Sequence, residues 1–125
     1  MMVPLHELAQ LKTEDPVVEI WKAIMSMKIW ELEPLLDEAI DYEDIGKEAF
    51  LNKILCRYNE HYDAGDGELL LTFDNCNSCN CNKAVCRFIG DHSKKEFALY
   101  FEIEANKIVD IYQCNWYGDQ DWFPL

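Results

Sequence analysis

Positive charge is scarce in this chain: 11 Lys and Arg stand against 24 Asp and Glu, a formal net charge of −13 at pH 7. Nucleic-acid binding draws its affinity from Lys and Arg contacts to phosphate, so that class of partner is not expected, and an anionic membrane surface is disfavoured for the same reason. Long apolar runs are missing as well. No stretch approaches the roughly 20 residues that span a bilayer, and Met1-Met2-Val3-Pro4-Leu5-His6-Glu7 has neither a basic start nor an apolar core of the secretory kind. The expected location is therefore cytoplasmic. Glycine and proline are few, 5 and 4, with no repeat, linker or low-complexity tract. Half of the 125 residues are apolar and 13% aromatic, enough to bury a core and offset chain entropy. A single domain over 1–125, with its core at about 16–117, is expected.

The first half of the chain has helical periodicity. Residues 5–12 fit one or two helical turns. Asp15-Pro16 is a helix start, Asp as N-cap and Pro at the first helical position, and Val17, Ile20, Trp21, Ile24 and Met27 follow at spacings of three and four over 16–29. Pro34 opens a short turn of helix, and the alternation Ala39-Ile40-Asp41-Tyr42 suggests a brief strand. A second long helix begins after Gly46, with Phe50, Leu51, Ile54, Leu55, Tyr58 and Tyr62 as its apolar stripe. Asp63-Ala64-Gly65-Asp66-Gly67 ends it. Beyond that turn the period changes to two: 68–74, 84–89, 96–104 and 107–117 read as strands, the last two joined by a tight hairpin at Ala105-Asn106-Lys107. The expected fold class is α+β, N-terminal helices packed on one face of a curved antiparallel sheet.

The stretch Trp30-Glu31-Leu32-Glu33-Pro34-Leu35-Leu36-Asp37-Glu38-Ala39-Ile40-Asp41-Tyr42-Glu43-Asp44-Ile45-Gly46-Lys47-Glu48-Ala49-Phe50-Leu51 resembles the front half of an NTF2-like (SnoaL-like, cystatin-like α+β) domain. Leu99-Tyr100-Phe101-Glu102-Ile103-Glu104-Ala105-Asn106-Lys107-Ile108-Val109-Asp110-Ile111 is similar to the hairpin of that superfamily. The resemblance covers about 15–117 and lies in the order and spacing of loose motifs. It implies a cone of helices closed over a curved sheet, with an apolar cavity between them. Its members include isomerases, cyclases and dehydratases alongside plain binding and dimerising domains, so it decides little about activity. No catalytic residue carries over.

Candidates for lining such a cavity are Tyr42, Tyr100, Asp110 and Tyr112, all on expected strands where parity turns some of them inward. A carboxylate buried among Phe, Trp and Ile could serve as general base and a tyrosine hydroxyl could stabilise an oxyanion. Against that, most strand carboxylates in a chain with this many acids face water. His6, His61 and His92 have no Ser or Cys at a nucleophile spacing. Two functions from different classes follow: binding of a small apolar molecule or dimerisation without catalysis, and a small isomerase, cyclase or dehydratase using a buried acid and a Tyr. The aromatics Trp116, Tyr117, Trp122 and Phe123 suit a core plug or a dimer contact, and a homodimer is expected. A light-scattering mass equal to one 14.7 kDa chain would contradict that expectation.

Six cysteines are present, and Cys76, Cys79, Cys81 and Cys86 fall at C-x2-C-x-C-x4-C spacing in an Asn-rich segment between two expected strands. In a reducing compartment such thiols are free or bound to metal more often than paired. Two residues between thiolates let Cys76 and Cys79 face one ion, as structural zinc requires, with Cys81, Cys86 and Cys114 available to complete the shell. Cys81 stands too close to Cys79 for an ordinary knuckle, so free thiols with Cys86 and Cys56 as small core residues, a structural zinc, and a disulfide or redox pair all remain open. Elemental analysis of protein purified without added metal, combined with thiol titration in denaturant, separates them. About one zinc per chain supports the metal site, and less than about 0.2 with six free thiols removes it.

Overall fold

The computed structural model describes residues 2–10, 15–76, 83–105 and 107–113. Among these residues four α-helices precede the sheet: α1 (Leu5–Ala9), α2 (Pro16–Ser26), α3 (Ile29–Leu32) and α4 (Lys47–Asp63), with short 3₁₀ turns at Glu33–Leu35 and Tyr42–Asp44. The strands β1 (Leu69–Cys76), β2 (Lys83–Gly90), β3 (Glu96–Glu104) and β4 (Lys107–Gln113) form one antiparallel sheet in the order β1-β2-β3-β4. The α+β class read from the periodicity is thus observed. Among the described residues no helix is long and apolar enough to cross a membrane.

α2 starts as its sequence dictates, with Pro16 at the first position and the Asp15 carboxylate accepting the Val17 N–H at 2.9 Å. It ends earlier than its apolar pattern, because Met27 turns left-handed at φ 57° and the chain re-enters a helix only at Ile29. The carbonyl of Met27 accepts the Tyr62 hydroxyl of α4, which ties this irregular turn to the second long helix. Trp21 sets α2 on the sheet through edge contacts with Phe73 of β1 at 5.1 Å and Phe101 of β3 at 6.2 Å.

Two expectations are corrected. Ala39-Ile40-Asp41-Tyr42 is not a strand. Asp37 makes a local turn by accepting the Ala39 N–H, and the chain continues into the 3₁₀ turn at Tyr42. The stripe of α4 also differs: Phe50, Ile54, Arg57, Tyr58 and His61 are buried, whereas Leu55 and Tyr62 are exposed. Steps of 4, 3, 1 and 3 follow the 3.6-residue period, and the Leu51–Leu55 row lies one position off that face.

Gly65, φ 93°, lies just past the end of α4, with its N–H donating to Tyr62 O at 3.0 Å and the Asp66 N–H to His61 O at 2.9 Å. These two bonds are the Schellman pattern, and they fold Asp66 back beside His61. The buried Asp66 carboxylate then gathers four donors: His61 Nδ1–H at 2.6 Å and Ser93 Oγ–H at 2.6 Å on Oδ2, and the His92 and Ser93 N–H groups at 2.8 and 2.7 Å on Oδ1. Gly90 admits it, since a Cβ there would stand 2.1 Å from the carboxylate. Burial pushes the Asp66 carboxyl up, but the bonds from Ser93, His61 and His92 outweigh it and hold it below the usual carboxylate range.

A depressed carboxyl contributes stability that is present above its unfolded value of about 3.9 and is lost as pH falls toward the lower folded value. Asp66→Ala is expected to cost about 3 kcal/mol or more, because several buried donors lose their acceptor. The stability gap between wild type and Asp66→Asn should be full above about pH 5 and close as pH falls toward 2. Urea unfolding of both proteins across that range checks this, and a gap independent of pH would refute the role of the ionised carboxylate.

Candidate functional site

Tyr42 sits where the second 3₁₀ turn meets the edge of β4. Glu43 and Asp44 adopt left-handed φ values of 53° and 61°, costly for residues with a Cβ, and local bonds hold them there. The Asp110 carboxylate accepts the Glu43 N–H at 3.0 Å and the Ile111 N–H at 2.8 Å, while the Glu43 carboxylate accepts the Gln113 N–H and faces Lys53 Nζ at 3.4 Å. Ile111 and Gln113 sit at alternate positions along β4, so their N–H groups point away from β3 and would otherwise stay open at the sheet edge.

This anchoring presses the Tyr42 ring against Phe50 at 5.4 Å and brings its hydroxyl to accept the Asp37 N–H at 2.9 Å. Burial raises the Tyr42 pKa, the Asp37 N–H works against that, and the carboxylates of Asp37 and Asp110 push it further up. The phenol therefore stays neutral and is a hydrogen-bond donor rather than a base. Among the described residues its O–H proton has no acceptor.

Beside Tyr42 opens a cleft of about 370 Å³, between α2, the first 3₁₀ turn and the start of β4. Ile20, Leu35, Leu36, Ile40 and Ile108 supply apolar wall, and Asp37 and Lys107 are its charged members. Its size falls in the range of about 300–1,000 Å³ typical of small-molecule sites. A larger open groove of about 880 Å³ runs along the start of α4, but Glu33, Glu38 and Glu48 face it against Lys47 alone, so it is an acidic, solvated channel. Another, of about 420 Å³, contains the Lys22–Glu19 ion pair together with Lys28 and Glu31.

The sequence-derived candidates do not share one cavity. Tyr42 and Asp110 come together at the β4 edge. Tyr100 and Tyr112 are cross-strand neighbours, with ring centroids 5.0 Å apart, on the face turned away from the helices. That outer face also holds Val85 and Ala98, both buried. The space between helices and sheet, where the resemblance implies a cavity, contains one contiguous cluster of buried side chains that includes Ile24, Leu32, Phe50, Ile54, Phe88, Leu99 and Ile111.

Cys86 belongs to that cluster, and burial pushes its thiol up to about 12. Zinc binds thiolate, so this is the environment of a core residue more than of a ligand. Cys56 is exposed on α4. Cys76 closes β1 opposite Lys83 in the register, and Cys79, Cys81 and Cys114 lie outside the described residues, as do Trp116, Tyr117, Trp122 and Phe123. Among the described residues, no group of three or more His, Cys, Asp or Glu is placed to hold a metal.

The cluster that sequence reasoning missed is His61, Asp66 and Ser93. Its residue types are those of a hydrolase, but the order is wrong: the carboxylate stands between Ser93 and His61, so the imidazole does not touch the hydroxyl it would have to deprotonate. The spacing His61-x3-Gly65-Asp66 was the available signal, since a Schellman turn brings those two residues together. No family model matches this chain, and comparison with curated proteins and with solved structures finds no significant match.

Proposed function

We propose that this chain is an NTF2-like domain that binds a small apolar molecule, without catalysis, in the cleft beside Tyr42. The observation that carries the reading is the composition of that cleft, five aliphatic side chains around a neutral phenol. Helices on one face of a four-stranded antiparallel sheet agree with the family. Proton-transfer chemistry has less support, because Asp110 is committed to two backbone N–H groups and Tyr42 holds its proton tightly. Homodimer formation belongs to the same proposal, on a narrower footing: Val85 and Ala98, on the outer face, are already buried within the single chain.

The test is binding of N-phenyl-1-naphthylamine, a neutral apolar fluorophore, followed by its emission increase. Micromolar or tighter binding to wild type is expected, with loss of about tenfold or more in Ile40→Arg, which puts a charge into the cleft wall. Circular dichroism establishes that the variant is folded. Absence of binding, or binding indifferent to Ile40→Arg, would refute the reading.

A further inference from the structure

The geometry points to a more specific occupant of the Tyr42 cleft: a neutral apolar molecule carrying one hydrogen-bond acceptor, such as a ketone or ester carbonyl, that accepts a hydrogen bond from the Tyr42 O–H. This rests on the binding role proposed above and adds the chemistry of recognition.

Three observations lead to it. The Tyr42 hydroxyl is fixed as an acceptor by the Asp37 N–H, which orients it and leaves its own proton without a partner among the described residues. Tyr42 is 2% exposed, and a donor buried that deeply gains from meeting an acceptor. Apart from Asp37 and Lys107 the remaining wall is aliphatic, so most of the ligand has to be apolar.

Charge decides between a neutral ligand and an anionic one. The carboxylates of Asp37 and Asp110 both act on the Tyr42 hydroxyl, and only Lys107 among the residues lining the cleft is cationic. A ligand carboxylate or sulfonate at the phenol would therefore meet two like charges against one opposite charge, in a chain that is already −13 overall. A carbonyl oxygen accepts the same hydrogen bond without that repulsion.

Three naphthyl probes separate the possibilities: Prodan, a neutral ketone; 1-anilinonaphthalene-8-sulfonate, an anion; and N-phenyl-1-naphthylamine, which carries no carbonyl. Wild type is expected to bind Prodan about tenfold or more tightly than the sulfonate. Tyr42→Phe keeps the ring and removes the hydroxyl, so Prodan should weaken about fivefold to tenfold while N-phenyl-1-naphthylamine is unchanged. If the sulfonate binds as tightly as Prodan, or Tyr42→Phe leaves Prodan unchanged while Ile40→Arg still abolishes binding, the recognition proposed here is wrong and the apolar cleft stands. If no probe binds, or none responds to Ile40→Arg, both fall. The comparison of Prodan with the sulfonate needs wild type only, so equal binding of the two overturns the proposal even where Tyr42→Phe does not fold.

Discussion

The join between α4 and the sheet rests on one carboxylate. Asp66 lies three residues before β1 and accepts bonds from His61 on the helix and from His92 and Ser93 in the β2–β3 turn. A single buried group thus fixes where the helix ends, where the first strand begins and how the middle hairpin is held against both. Its four donors are why a charge can be kept in that position, since an ionised carboxylate without them would protonate or draw in water. The arrangement needs two glycines: Gly65 for its positive φ and Gly90 for the room it leaves the carboxylate. A methyl group at Gly90 would displace Asp66 and with it the turn.

Sheet edges impose the second constraint, since a bare edge invites pairing with another chain. On the β1 side, Val3 exchanges two backbone bonds with Leu71, at 2.6 and 2.9 Å. On the β4 side no strand is added among the described residues, and the side chains of Glu43 and Asp110 take the outward N–H groups of Gln113 and Ile111. That solution requires the left-handed residues Glu43 and Asp44, and the resulting turn lays Tyr42 over Phe50 and leaves the cleft beside it. The candidate site is thus a by-product of how the edge is closed.

These constraints explain what was legible in the sequence. α2, α4 and all four strands follow from local signals: Asp15-Pro16, the period of 3.6 after Gly46, the period of two after Gly67. The turn around Tyr42 was not legible, because Ala39-Ile40-Asp41-Tyr42 alternates like a strand and only the contact with β4, 67 residues away for Glu43 and Asp110, selects a 3₁₀ turn. The Asp66 cluster was hidden for a related reason. His61 and Asp66 are close in sequence, but Ser93 and the space at Gly90 come from a hairpin whose docking the local pattern does not encode. For Tyr42, Tyr100, Asp110 and Tyr112, parity offered only that some of them turn inward; that Tyr100 and Tyr112 stand opposite each other across β3 and β4 depends on the strand register, which the local pattern does not encode.

Acid surplus and function are linked through the same bonds. Asp15, Asp66, Asp110 and Glu43 each spend their oxygens on backbone N–H groups, where a carboxylate makes a charge-assisted bond stronger than a neutral acceptor could. These acids are thereby tied into the backbone, and at the cleft the neutral phenol of Tyr42 stands beside Asp37 and Lys107, its charged members. In the reading proposed above, a phenol donor set in a largely aliphatic wall orients a ligand.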